Sequence, residues 1–235
     1  MTSAGERMPA PGGASRPIIV LLGAAGAGKG TQARILSAEL GLLHLATGEL
    51  FRQAVRDGTP VGRQARTYMD RGDLVPDAIT IQVVALALAS PAADPGAILD
   101  GFPRTTEQAV ALDAILADQG RGISGVVVIE VPVGDLVARL SGRWTCPTCG
   151  TPYHLPDHPP HRLGVCDREG TSLAQREDDR PEIVRARLAR QLGPMEAVVD
   201  HYARSRGVIR IDGSQPIAAV TDALRAAIRG PAAAA

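Results

Sequence analysis

The run Ile18–Leu22, five apolar residues ending on Gly23-x-x-x-x-Gly28-Lys29, constrains the fold more than any other stretch of the chain. An uninterrupted, largely β-branched apolar run bounded by glycine reads as a strand buried on both faces, as in parallel sheets covered by helices. The glycines behind it free successive backbone N–H groups to face an anion. A helix expected over residues 28–40 adds the positive potential of its N-terminus. Lys29 is the chain's single lysine; every other basic residue is arginine. A compact ammonium on a thin stem enters such a loop, whereas arginine's planar fork is bulkier and favours bidentate geometry. Strand, G-x-x-x-x-G-K loop and helix in that order predict phosphate binding.

Similar apolar runs recur at Ala97–Leu99, Val126–Val131 and Val208–Ile211, with a weaker one at Leu43–Leu45. Helical patterns lie between them. Thr106–Gln119 places Ala109, Leu112, Ile115 and Leu116 on one face, and Ile217–Ile228 does the same with Ile217, Val220, Leu224 and Ile228. Asp77–Ser90 is apolar nearly all round, which predicts a helix buried against a sheet. The alternation predicts an α/β fold: a P-loop NTPase-like, doubly wound, parallel five-stranded sheet. Two segments break the alternation and read as inserted subdomains, residues 46–75 and 142–179. The core is then 17–45, 76–141 and 180–230. Residues 1–16, rich in Gly, Pro, Ala and Ser, and residues 231–235 read as disordered tails.

With 25 acidic and 25 basic residues and 3% aromatics, the 235-residue chain has neither the charge nor the rings to coat nucleic acid or an anionic membrane. No run of 18 apolar residues and no secretory signal occurs, and three cysteines do not make a disulfide framework. A cytoplasmic protein with no nucleic-acid or membrane partner is the expectation.

The loop departs from the common pattern in having Gly30 between Lys29 and Thr31. "GAGKGTQ" resembles the adenylate kinases, and the resemblance runs from Ile18 to Ile217. "ATGELFR" is similar to the family's "STGD-x-x-R", "RGDLVPD" to the segment after it, and "LDGFPRTTEQ" to "LDGFPRT-x-x-Q". The resemblance implies reversible phosphoryl transfer from MgATP to AMP, giving two ADP, by a protein of the usual monomeric type. It implies an AMP site made of Thr47, Arg52, Asp73, Leu74, Val75, Gly101, Phe102, Pro103, Arg104 and Gln108, with Arg104 on the phosphate and Gln108 on the base. It implies an ATP site made of Gly26, Ala27, Gly28, Lys29, Gly30, Thr31, Arg143, Pro152, Tyr153 and Gln215. Asp100 matches the carboxylate that orients hydrated Mg²⁺. Arg139 and Arg143, four residues apart on one helix, match catalytic arginines, as do Arg176 and Arg187, which also reach the acceptor. Asp178 and Asp179 match acids that help close the lid, residues 142–179, while 46–75 matches the monophosphate-binding subdomain. His44 and His201 read as packing or surface residues, and Trp144 as the anchor at the base of the lid.

Cys146-x-x-Cys149 followed by Cys166 suits a tetrahedral Zn²⁺. By resemblance to zinc-bearing lids the fourth ligand is Glu169, with Asp167, His161 and His158 as rivals. The alternative functions are a UMP/CMP kinase, against which Thr47 argues, and a non-catalytic, zinc-stabilised nucleotide-binding protein.

Overall fold

A computed structural model describes residues 17–155 and 158–229; both predicted tails lie outside the described residues. The central sheet contains β1 (Ile18–Leu22), β2 (Leu43–Ala46), β3 (Ala97–Asp100), β4 (Ile123–Glu130) and β7 (Ile209–Asp212). Its order is β2-β3-β1-β4-β7, with all four pairings parallel. The five predicted strands are these five: β1 has its predicted bounds, and the other four are shifted by one to three residues.

Both faces of β1 are buried, by the period-two alternation of a strand. Ile18, Val20 and Leu22 enter one apolar layer with Leu99, Phe102, Leu112 and Tyr202. Ile19 and Leu21 enter the other with Ala33, Leu36, Leu136 and Leu224. Helices cover each layer: α1 (Lys29–Leu40), α4 (Asp77–Leu88), α5 (Thr106–Asp118), α6 (Val133–Ser141), the 25-residue α7 (Pro181–Ser205) and α8 (Ile217–Arg229).

α4 packs against the core as expected: Thr80, Val84 and Leu88 form its inner face, Ile81 and Ala87 pack on the same layer, and Ile79 and Val83 pack against Phe51 and Val75, while Leu86 is 68% exposed. Two sequence expectations are corrected here. Arg139 and Arg143 do not share a helix, because α6 ends at Ser141 and Arg143 starts the strand that follows. On α8, Val220 and Leu224 are buried but Ile217 is half exposed, because it starts the helix at the rim of the site.

Residues 47–69 leave the sheet as a helical pair, α2 (Thr47–Arg56) and α3 (Pro60–Met69). The Thr59 hydroxyl accepts from Gly62 N–H and caps α3, with Pro60 in its first turn. Between α6 and α7 the chain makes the antiparallel pair β5 (Arg143–Thr145) and β6 (Pro152–His154), on which Trp144 faces Tyr153. This excursion has its own small core of Cys146, Tyr153, Cys166 and Leu173, with Trp144 packed against it.

Candidate active site

Strand β1 delivers the glycine loop to the carboxyl edge of the sheet, where open α/β folds place their ligands. Gly23, Gly26 and Gly28 have φ of 141°, 87° and 95°, conformations that side chains rarely adopt. Lys29 is buried and donates from Nζ to Ala24 O at 2.8 Å, closing the loop on itself. Burial lowers the Lys29 pKa to about 8, helped by the nearby Arg104, Arg187 and Arg143 and opposed by Asp100. Asp100 ends β3 beside it. Burial opposes ionisation of Asp100, but the His44 hydrogen bond (Nε2 to Oδ2, 3.3 Å) and the Lys29 charge outweigh it and hold the carboxyl below its usual range. A Cβ at Gly30 would stand 3.2 Å from Asp100 Oδ2, so glycine after the lysine keeps room for that carboxylate.

The loop opens into a cavity of about 630 Å³. It is lined by Gly26–Thr31, Asp100, Arg104, Arg139, Arg143, Pro152, Tyr153, Arg176, Arg187 and Gln215. Every predicted donor-site residue is on this wall. A smaller adjoining cavity of about 60 Å³ is lined by Thr47, Arg52, Asp73, Leu74, Val75, Gly101, Arg104, Gln108 and Arg187. Gly48, Arg52, Arg104 and Arg187 line both cavities and join them. Of the remaining predicted acceptor residues, Arg176 lies on the wall of the larger cavity and two lie outside both. Phe102 is fully buried in the core: β3 ends at Asp100, and after Gly101 (φ 79°) the chain no longer alternates, so Phe102 joins the layer of Ala97 and Leu99. Pro103 walls a separate small pocket behind Lys29 and Arg104.

The charged side chains are held by partners on different elements. Arg104 donates Nε to Gly101 O (2.8 Å) and NH1 to Gln191 Oε1 (3.1 Å). The Arg143 fork meets Asp179 at 2.7 and 2.5 Å, and that carboxylate is fully buried. Arg139 donates to Gly213 O at 2.9 Å. Glu49 Oε1 accepts from Arg52 at 2.7 Å and from Arg176 at 2.8 Å, which ties the 47–69 helical pair to the far side of the 142–179 excursion. Burial would raise the Glu49 pKa; Arg52 and Arg176 outweigh it and keep the carboxyl ionised. Thr47 is buried, its hydroxyl donating to Gly101 O at 2.9 Å. Gln215 donates to Asp212 at 2.9 Å.

Sequence reading missed Glu49, Asp77, Gln191 and the contact of His44 with Asp100. Glu49 stands three residues before Arg52 on a helix, a visible signal. His44 is more than packing, since it faces the cavity and the carboxylate together. Gln191 carries no local signal, and Asp77, though it closes "RGDLVPD", gives no sign of its pairing, because their partners are distant in sequence.

In the excursion the sulfurs of Cys146, Cys149 and Cys166 lie within 4.8 Å of one another. They rest on two matching turns. In "CPTCGT" Gly150 N–H donates to Cys146 O and Cys146 N–H to Thr151 O; in "CDREGT" Gly170 N–H donates to Cys166 O and Cys166 N–H to Thr171 O. Gly150 and Gly170 have φ of 71° and 66°. Glu169 occupies in the second turn the place that Cys149 occupies in the first, yet its exposed side chain stands outside the sulfur group. Burial opposes ionisation of Cys146, but the Cys149 N–H and the Thr171 hydroxyl bring its pKa to about 6. The Tyr153 hydroxyl donates to Cys166 Sγ at 3.4 Å and accepts from Asp167 N–H at 2.9 Å, so its oxygen is engaged within the excursion. No helix among the described residues is long and apolar enough to cross a membrane.

A sequence model described as adenylate kinase matches residues 21–207. A curated adenylate kinase of Exiguobacterium sibiricum is 45% identical over 212 residues, covering 90% of this chain and 99% of that protein. One from Oceanobacillus iheyensis is 43% identical over 199 residues, covering 85% and 93%. One from Staphylococcus aureus is 45% identical over 203 residues, covering 86% and 94%. With the loop, the paired cavities and the arginines between them, these matches lead to one conclusion: the chain belongs to the adenylate kinase family.

Proposed function

We propose that the protein transfers the terminal phosphoryl group of ATP to AMP, reversibly, giving two ADP, and so balances the adenine nucleotide pool. The observation that carries this reading is the junction at Arg52, Arg104 and Arg187. Two cavities, one behind the glycine loop and one behind Thr47 and Gln108, meet at the guanidiniums of Arg52, Arg104 and Arg187, with the Lys29 ammonium on the donor side.

In-line transfer between nucleotides crowds several negative charges, so the protein's work is positioning and charge neutralisation rather than covalent catalysis. The loop amides and Lys29 hold the donor's β- and γ-phosphates, with Arg143 and Arg139 on its far side. Arg52, Arg104 and Arg187 draw the acceptor phosphate into line, and Arg176 closes over it. Glu49, which pairs Arg52 with Arg176 in the free protein, yields both to the acceptor phosphate. Thr47, Gln108 and the 73–75 backbone receive the acceptor base, and Gln215 backs the donor base. Residues 142–179 act as the lid and 46–75 as the acceptor subdomain. Their contact through Glu49 and Arg176 keeps water, a competing acceptor, away from the transferring group. Asp100, kept ionised at the cavity wall, and Thr31 suit the magnesium that accompanies ATP, which supplies charge neutralisation at the phosphates.

The three clustered sulfurs suit zinc, with Glu169 swinging in as the fourth ligand from its matching turn. The metal's contribution is structural, holding together a segment with a core of only a few side chains. The protein works as a cytoplasmic monomer.

A nucleotide panel tests the reading. ADP forms from ATP with AMP, and little forms with UMP or CMP. Turnover with UMP or CMP in preference to AMP points to a different monophosphate kinase. ATP binding without transfer to any monophosphate refutes enzymatic function.

A further inference from the structure

Asp77 closes the "RGDLVPD" motif and opens α4, and no role was read for it from the sequence. Its Oδ1 accepts from Gln108 Nε2 at 2.7 Å and its Oδ2 from the Thr105 hydroxyl at 2.7 Å. At the other end of the same amide, Gln108 Oε1 accepts the Arg104 backbone N–H at 2.8 Å. Gln108 is 1% exposed and lines the acceptor cavity. These partners permit one orientation. An ionised carboxylate only accepts and a backbone N–H only donates. Turning the amide by 180° would set oxygen against carboxylate and NH₂ against N–H, in a buried site where lost hydrogen bonds are costly.

A primary amide has two N–H bonds and two oxygen lone pairs. The two pins take one of each, leaving one donor and one acceptor side by side in a fixed order. That order distinguishes purines. Adenine's 6-amino group donates beside an accepting ring nitrogen, whereas hypoxanthine and guanine carry an accepting oxygen at the same position. An amide free to turn satisfies either base; a pinned one satisfies only one.

We propose that Asp77 is the positioning residue that sets purine selectivity. By fixing the polarity of the Gln108 amide it makes the acceptor cavity take 6-aminopurine monophosphates and reject 6-oxopurine ones. The proposal rests on the reading that Gln108 receives the acceptor base. Asp77 itself touches no substrate.

The test is kcat/KM for AMP and for IMP, at saturating ATP, in the wild type, Asp77→Asn and Gln108→Ala. The asparagine amide both donates and accepts, so it meets Gln108 in either orientation and removes one of the two pins, leaving only the Arg104 N–H to oppose a turned amide. The AMP-over-IMP ratio falls about tenfold or more, chiefly through KM for the monophosphate, while KM for ATP is unchanged. An unchanged ratio overturns the proposal. So does an equal loss of kcat with both monophosphates, the signature of a merely structural role. Gln108→Ala separates the two levels. If it leaves the ratio at the wild-type value, the base is not read by Gln108 and the underlying reading fails. If it collapses the ratio while Asp77→Asn preserves it, only the role of Asp77 fails. Should Asp77→Asn not fold, Asp77→Ser takes the same measurement, since its hydroxyl also both donates and accepts and suits a helix N-terminus.

Discussion

Nucleotide binding should draw a proton onto Lys29. In the free protein burial and three neighbouring guanidiniums set the Lys29 pKa at about 8, so at pH 8 about half of these side chains are neutral. A bound triphosphate places opposite charge in contact with Nζ and returns the pKa to the ordinary lysine range or above. Binding at pH 8 therefore takes up about half a proton, rising to about 0.9 at pH 9 and falling to almost none at pH 6.5. By the same linkage, affinity for ATP weakens by about tenfold between pH 7 and pH 9. The sign for folding is opposite. A lysine whose folded pKa is depressed to about 8 leaves the unfolded chain holding the extra proton up to about 10.5, so this group's contribution to stability rises with pH across that window. Calorimetric titration with a β,γ-methylene ATP analogue, in buffers of different ionisation enthalpy, reads the uptake directly. Lys29→Arg is the control, since a guanidinium stays charged throughout; it should abolish the uptake and lower kcat by about 10²-fold or more. Uptake below about 0.1 proton at pH 8 in the wild type would refute the desolvation argument, as would an arginine variant turning over within about threefold of wild type.

Asp179→Ala removes the fully buried carboxylate that both arms of the Arg143 fork grip. Because Arg143 is partly exposed, the loss is about 2–3 kcal/mol, below that for a fully buried pair, and the melting temperature should drop by several degrees with kcat reduced; an unchanged melting curve contradicts it. At Gly62 a methyl group would fall on the Ala54 carbonyl where α2 crosses α3, so Gly62→Ala costs about 1–3 kcal/mol. It should raise KM for AMP while KM for ATP stays constant, and an AMP KM equal to wild type rules it out. Cys166→Ser breaks the sulfur triad, so metal analysis should find its zinc lost and limited proteolysis should cut first within residues 142–179, with phosphoryl transfer retained. Wild-type protein purified without chelator and carrying no zinc would remove that expectation.

The strands were legible because a buried parallel strand writes itself as a continuous apolar run: β1 occupies the predicted residues and β2, β3, β4 and β7 nearly so. α4 was legible by the same logic: apolar nearly all round, it buries Val84 and Leu88 in the core and packs Ile79 and Val83 against Phe51 and Val75, while Leu86 stays exposed. In the donor wall Gly26–Thr31 were legible because they are local to a loop with a distinctive glycine spacing, whereas Arg143, Pro152, Tyr153 and Gln215 were expected only from the family resemblance. In "LDGFPRTTEQ" motif membership did not distinguish Arg104 and Gln108, which line the acceptor cavity, from Phe102, which packs the core.

Local sequence alone determined that this chain has a phosphate loop, a parallel sheet behind it and a cysteine-bearing insertion, since each depends on neighbours within a few residues. Tertiary structure alone decided which charges answer each other. Glu49 meets Arg176, Arg143 meets Asp179, Arg104 meets Gln191, and Asp77 turns the Gln108 amide. The physical reason is the range of the forces: strand and loop conformation follow from short-range sterics. An ion pair or a pinned amide depends on distances between atoms that lie far apart along the chain and come together only when the helices pack on the sheet.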